Sequence, residues 1–194
     1  MTILPSERSD LASRAKWIAG AGWLILLLSA GAALLPMFER RGGAMVIGGL
    51  LAAAGLLEIF AGSLRHEARK LAMLTGALTV LAGVLFATGP ATRFFLPAIT
   101  VVMGWLVVRA VLLMLTSRLT GGGVRRWTVI SAATDLLLAL VLLVGLQIAA
   151  LVVALIGATA PLVASFAWIL ALSFVATGLM LLEVASCARA SEDV

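Results

Sequence analysis

Residues 16–36 read KWIAGAGWLILLLSAGAALLP, a basic residue followed by an unbroken run of apolar and small residues. A helix needs about 20 such residues to cross the hydrocarbon core of a bilayer, so this stretch predicts a membrane helix. A basic residue directly before an apolar run occurs twice more, at Lys70 and Arg126. Lys70 follows Lys16 by 54 residues, and Arg126 follows Lys70 by 56 residues, which predicts one unit used three times. Each unit is long enough for two membrane crossings and a turn.

The composition of the chain also indicates a membrane protein. Hydrophobic residues make up 63% of the chain, charged residues 12%, and the mean hydropathy is +1.19. A soluble domain carries about 25% charged residues, because it needs them to cover its surface. The predicted fold is therefore an all-α membrane protein with six transmembrane helices, arranged as three parallel two-helix hairpin repeats. The single cysteine, Cys187, excludes an internal disulfide.

The basic residues predict how the chain is oriented in the membrane. Six crossings would place ten Lys and Arg residues on one side and three on the other, with Arg109 inside a helix. Because basic residues are enriched in cytoplasmic loops, both termini are predicted to be cytoplasmic. The ten residues are Arg8, Arg14, Lys16, Arg65, Arg69, Lys70, Arg118, Arg125, Arg126 and Arg189. Their position at helix ends also disfavours a nucleic-acid partner, despite the net charge of +5.

The predicted domain organisation is simple. We expect a cytoplasmic N-terminal tail over 1–16, a six-helix transmembrane domain over 17–187 and a cytoplasmic C-terminal tail over 188–194. Within the membrane domain, the repeats are expected at about 17–65, 71–118 and 127–187.

The first two units contain a proline at the same offset, and the third unit does not. Pro36 and Pro90 each stand 20 residues after the basic residue of their unit, where each is predicted to end a helix. The third unit has no proline at that offset and is longer. We expect two long helices there, broken around 157–161. An extra short or re-entrant piece over 148–160 is the alternative.

Small residues recur at two matching offsets in the three units. They are Gly22, Gly76 and Ala132 at six residues after the basic residue, and Ser29, Gly83 and Ala139 at thirteen. Small residues seven apart lie on one helix face and let membrane helices approach closely. The first, third and fifth helices are therefore predicted to pack together at the centre of the bundle. The same faces could instead join two copies of the chain in a homo-oligomer.

The chain resembles the HdeD-like family of small bacterial inner-membrane proteins. The residues that carry the resemblance are Trp17, Gly20, Gly22 and Pro36, then Gly76, Gly83 and Pro90, then Trp127, with Gly55 and Gly178 in the second helices. The resemblance implies six spans in three hairpins and a role in acid resistance and general stress. The missing third proline and the longer last unit depart from the pattern.

Four ionisable residues fall inside predicted spans, where charges are costly and functional by default. They are Glu58, Arg109, Asp135 and Glu183. At a rise of 1.5 Å per residue, Arg109 and Asp135 both lie roughly 12 Å from the cytoplasmic helix ends. Glu58 lies at roughly 9 Å, and Glu183 is within about a turn of the interface. A buried Arg109–Asp135 pair is therefore expected, and Glu58 could make it a triad.

Two interpretations of these charges stay open. In the first, Arg109 and Asp135 are a structural clamp, while Glu58 and Glu183 reach cytoplasmic water or pair with Arg65 and Arg189. In the second, two acids and one arginine form a cluster that changes charge with pH, as a switch or a relay.

No catalytic or cofactor motif accompanies these charges. The sequence has no Walker motif, no HExxH, and no paired Cys or His ligands. We therefore predict a non-enzymatic protein without cofactor or metal. Its predicted partner is the lipid bilayer, and a protein partner is left open. As the resemblance to the HdeD-like family implies, its expected role is acid and general stress resistance through membrane permeability or through a partner. The alternative is a small proton- or solute-conducting transporter or channel.

Overall fold

The computed structural model describes residues 5–38, 43–65, 67–88, 98–156 and 162–190. These residues form six α-helices and contain no β-strand. The helices are α1 (Pro5–Phe38), α2 (Gly43–Ser63), α3 (Arg69–Ala87), α4 (Ala98–Arg118), α5 (Gly122–Ile156) and α6 (Leu162–Ala190). Each contains a segment of 19 to 23 residues that is long and apolar enough to cross a membrane. An all-α chain with six candidate spans is therefore confirmed.

Several helices extend beyond the predicted crossings. The helix α1 begins at Pro5, inside the predicted tail over 1–16, and ends at Phe38, two residues after Pro36. The helix α5 has 35 residues, and at 1.5 Å per residue it is longer than the roughly 30 Å hydrocarbon core. The prediction of a long fifth helix is thus confirmed as far as Ile156. Pro90 and the predicted break over 157–161 lie outside the described residues.

The six helices pack as a ring in which sequence neighbours are also spatial neighbours. The helix α1 closes the ring against α6, and α2 also touches α6 across the centre. The most extensive contacts are between α2 and α3 and between α1 and α6. These pairs join different predicted units, and the two helices of each unit contact each other less. Membership of the same predicted unit therefore does not decide which helices pack most closely.

The prediction that α1, α3 and α5 pack together is wrong. In the described part of the chain, none of the substantial helix contacts joins two of these helices. Gly22 instead faces Gly178 of α6, while Gly76 and Gly83 face α2. The small residues on the odd-numbered helices meet small residues on their antiparallel even-numbered neighbours, because two backbones approach only where both surfaces are small. Ser29, Ala132 and Ala139 are buried as well.

The α2–α3 contact depends on four glycines. Gly55 faces Gly76, and Gly48 faces Gly83 one heptad further along the pair. A Cβ atom on Gly83 would lie 2.5 Å from the backbone nitrogen of Ala52 and 2.6 Å from the carbonyl oxygen of Gly48. These are backbone atoms, so they cannot turn aside as a flexible side chain would. The two helices can therefore approach this closely only with glycine at these positions.

We predict that Gly83→Ala destabilises the protein by about 1–3 kcal/mol, because the added methyl group forces α2 and α3 apart. The measurement is the thermal unfolding midpoint of the purified protein in detergent. Gly49→Ala is the matched control, since a Cβ atom there meets nothing within 4 Å. Equal midpoints for the two variants would contradict the close α2–α3 contact.

Candidate functional site

The candidate site is a charge triad of Glu58, Arg109 and Asp135. Arg109 lies within α4 and is 1% exposed, Asp135 in α5 is fully buried, and Glu58 in α2 is 7% exposed. The guanidinium forms ion pairs with both carboxylates, at 2.5 Å to Glu58 Oε1 and with Asp135 through Nη1 and Oδ2. The structure therefore brings together three of the four predicted intramembrane charges.

The four hydrogens on the terminal nitrogens of Arg109 all have partners. Nη1 donates to Asp135 Oδ2 and, over 3.1 Å, to Ser173 Oγ. Nη2 donates to Glu58 Oε1 and, over 2.6 Å, to Thr177 Oγ1. Nε alone has no partner among the described residues. The planar fork of the guanidinium thus holds two carboxylates and two hydroxyls at fixed positions.

The hydroxyls of α6 fix Asp135 as a hydrogen-bond acceptor. Ser173 Oγ accepts from Arg109 and donates its one hydrogen to Asp135 Oδ1 over 2.6 Å. Thr177 likewise accepts from Arg109 and donates to the Ser173 carbonyl over 2.8 Å. Both oxygens of Asp135 therefore receive a donor, and the arrangement suits the ionised carboxylate.

Glu58, unlike Asp135, has a neighbouring hydroxyl group that can either donate a hydrogen bond to it or accept one from it. Thr79 Oγ1 accepts from Trp105 Nε1 over 3.2 Å, and the indole ring also lies 5.7 Å from the Arg109 guanidinium carbon. The single hydroxyl hydrogen of Thr79 reaches two acceptors, Glu58 Oε2 at 3.2 Å and the Thr75 carbonyl at 3.1 Å. When the hydrogen turns to Thr75, Thr79 can accept from a protonated Glu58. Glu58 therefore keeps a hydrogen-bond partner in either protonation state.

The polar network joins side chains from α2 to α6, and sequence reasoning missed four of its members. These are Thr79, Trp105, Ser173 and Thr177. A signal was available, because hydroxyl residues four apart share a helix face. The pairs Thr75/Thr79 and Ser173/Thr177 both have this spacing in otherwise apolar helices.

Glu183, the fourth predicted charge, does not contribute to the network. Its carboxylate accepts from Ser186 Oγ at 3.4 Å and lies near Cys187 Sγ at 3.9 Å, both on α6. It also approaches Gly123, where a Cβ atom would lie 2.5 Å from Glu183 Oε1. Gly123 is in the first turn of α5, so the carboxylate faces a helix N-terminus, which favours negative charge. Glu183 thus stabilises a contact between α5 and α6.

A small cavity adjoins the triad. It has a volume of about 20 Å³, and its walls include Glu58, Arg109, Thr75, Thr116 and Arg65. A cavity of about 10–15 Å³ can hold one water molecule when polar partners surround it. This cavity therefore has room for one water beside the carboxylate of Glu58.

A second and larger cavity, which we call the vestibule, lies at one end of the bundle. Its volume is about 300 Å³. Its walls come from the N-terminal half of α1, the α2–α3 connection, the α4–α5 connection with the start of α5, and the end of α6. The same segments carry most of the basic residues, so we call this end the basic end. The polar or charged lining residues are Arg14, Arg65, Glu67, Thr120 and Cys187.

Arg65 is the residue common to both cavities. Its Nε atom is buried and has no hydrogen-bond partner among the described residues. Burial lowers the pKa of the Arg65 guanidinium to about 10, and the charge of Glu58 acts in the opposite direction. Arg65 therefore remains a cation at neutral pH, and one of its buried donors is not satisfied.

Comparisons with known proteins identify no relative of this chain. No protein-family model matches it, and no curated protein or solved structure matches it either. Within the part of the chain that the structure describes, no three His, Cys, Asp or Glu residues are grouped to hold a metal ion.

We predict that Arg109→Met is the most harmful single change in the triad. It leaves Glu58 and Asp135 buried without a cation, and breaking a buried ion pair this way costs about 3–5 kcal/mol. Asp135→Asn should cost less, because Arg109 keeps Glu58 as its counter-ion. The measurement is the unfolding midpoint and the folded yield of each variant in detergent.

The triple variant Glu58→Gln, Arg109→Met, Asp135→Asn is the matched control. It removes all three charges and keeps amide oxygens that can accept from Thr79 and Ser173. We expect it to be more stable than Arg109→Met alone. If the triple variant is the less stable one, the cost of Arg109→Met does not come from unpaired buried charge.

Proposed function

We propose that this chain is a non-enzymatic, multi-pass protein of the bacterial inner membrane that acts in acid and general stress resistance. It would act on membrane permeability or through a protein partner, as the resemblance to the HdeD-like family implies. In this proposal the chain forms three hairpin repeats, and its basic end, with both termini, faces the cytoplasm. The support is the set of six apolar helices together with the distribution of Lys and Arg residues.

One observation favours a structural role for the triad within this function. All four terminal hydrogens of Arg109 are bonded, and the partners come from α2, α5 and α6. A site built in this way holds three helices in register around α4. It favours a clamp over a substrate site, because both terminal nitrogens of Arg109 already have all their partners within the protein.

A small proton- or solute-conducting transporter is the second candidate. Two observations favour it. The hydroxyl hydrogen of Thr79 can point either to Glu58 or to the Thr75 carbonyl, and a water-sized cavity lies beside Glu58. Arg65 lines that cavity and the vestibule, so a polar route from the basic end would reach Glu58. Neither the water-sized cavity nor the vestibule is lined by Asp135.

We expect proteoliposomes containing the purified protein to show no more proton flux than empty vesicles when a pH gradient is imposed. The Arg109 guanidinium lies between the two carboxylates and does not release a proton, so the triad offers no continuous proton relay. The measurement is the fluorescence of a trapped pH indicator, with a protonophore added at the end to show that the vesicles are sealed. Flux above control that is lost in Glu58→Gln would favour the second candidate.

We also expect cells lacking this gene to survive acid exposure less well, and the wild-type gene to restore survival. If the triad is a clamp, the triple variant should restore survival wherever it reaches wild-type membrane levels. Viable counts after exposure are the measurement, with immunoblots of membrane fractions as the control. A triple variant that is present at wild-type level and fails to restore survival would assign the triad a direct role.

A further inference from the structure

The vestibule is large enough to hold a ligand and has the lining that one would need. Its volume of about 300 Å³ is at the lower limit of the roughly 300–1,000 Å³ that small-molecule sites occupy. Apolar side chains such as Ile18, Leu64, Val124 and Val184 form much of its wall. Arg14 and Arg65 add two cations to this wall. An apolar cavity with a few convergent charges is the usual form of a binding site.

The charges of the vestibule favour an anion. Its lining contains two arginines and one acid, Glu67, which is exposed. The charge of Glu58 acts on Arg65, but the carboxylate of Glu58 is already bonded to Arg109 and Thr79. The buried Nε of Arg65 lacks a partner among the described residues. A phosphate or carboxylate oxygen in the vestibule would supply that acceptor and a counter-charge together.

The position of the vestibule along the helices favours an amphiphile over a soluble anion. Arg14 lies at the start of the candidate span Ser13–Leu34, and Cys187 at the end of the candidate span Trp168–Arg189. The vestibule therefore lies at the level where the spans leave the hydrocarbon core, which is the level of lipid headgroups. Basic pockets between membrane helices at this depth are suited to anionic headgroups.

We propose that the vestibule binds the anionic headgroup of an amphiphile from the bilayer. Arg65 and Arg14 hold its phosphate or carboxylate, and the apolar wall holds the first methylene groups of its chain. This site is separate from the triad and does not depend on whether the protein conducts protons or acts in stress. Among the described residues, Arg65 is the one that lines both the vestibule and the water-sized cavity beside Glu58.

Short-chain lipids provide the test, since they dissolve as monomers and carry defined headgroups. The purified protein in a non-ionic detergent is titrated with dihexanoylphosphatidylglycerol, which is anionic, and with dihexanoylphosphatidylcholine, which has no net charge. Because a ligand that binds the folded state stabilises it, the unfolding midpoint reports binding. We expect the midpoint to rise with the anionic lipid only. Inorganic phosphate at the same concentrations should leave it unchanged.

Variants then locate the binding site. Arg65→Gln should weaken binding of the anionic lipid by about tenfold or more, as expected for one charge-assisted hydrogen bond. Arg65→Lys should restore part of it. Arg118→Gln is the matched control, because Arg118 is an exposed arginine at the basic end that does not line the vestibule. If Arg65→Gln does not fold, Val124→Phe fills the vestibule without changing its charge and should also abolish binding.

Several results would overturn the proposal. An equal rise of the unfolding midpoint with the uncharged lipid would show that the protein recognises only the acyl chains of the lipid. An equal rise with inorganic phosphate would show a site for soluble anions. Unchanged binding in Arg65→Gln or in a folded Val124→Phe variant would place the lipid elsewhere. None of these results depends on proton flux or on survival under acid, so a failure here is separate from a failure of the proposed function.

Discussion

The architecture depends on keeping one guanidinium charged in an apolar interior. An ion without partners in such surroundings costs several kcal/mol, so Arg109 determines what its neighbours must be. Its two carboxylates come from α2 and α5, and its two hydroxyls from α6. A rotation of any of these helices about its axis would remove a partner. The triad therefore selects one arrangement among helices whose apolar surfaces alone would allow several.

Glycine makes part of this arrangement geometrically possible. Thr79 of α3 reaches Glu58 of α2 across the interface where Gly55 and Gly76 bring the two backbones together. Threonine has a short side chain, so its hydroxyl can meet a buried carboxylate only if the helices approach closely. The small residues and the polar network thus depend on each other. The glycines allow α2 and α3 to approach closely, and the hydrogen bond between Thr79 and Glu58 requires that short distance.

The sequence was sufficient for the class of fold and for part of the site. Composition and run length predicted six spans, because the thickness of the bilayer constrains helix length directly. Arg109 and Asp135 could be paired because a short loop joins their helices and sets both at one depth. Depth also set Glu183 apart from the triad, near the interface. Depth says nothing about rotation, however, so the part played by Ser173 and Thr177 could not be foreseen. The sequence also did not indicate which helix each glycine-containing face packs against, since small residues occur on all six helices.

The order of the triad along the chain bears on how the protein is made. Glu58 precedes Arg109 in the sequence, and Asp135 follows it. Because synthesis proceeds from the N-terminus, the helix with Glu58 is complete before the arginine leaves the ribosome. The carboxylate in α2 can thus receive the cation of α4 at once, while α5 and α6 are still to be made. Asp135, Ser173 and Thr177 then complete a site that already has its first counter-ion. The two acids, equivalent in the finished protein as partners of one arginine, are unequal during its assembly.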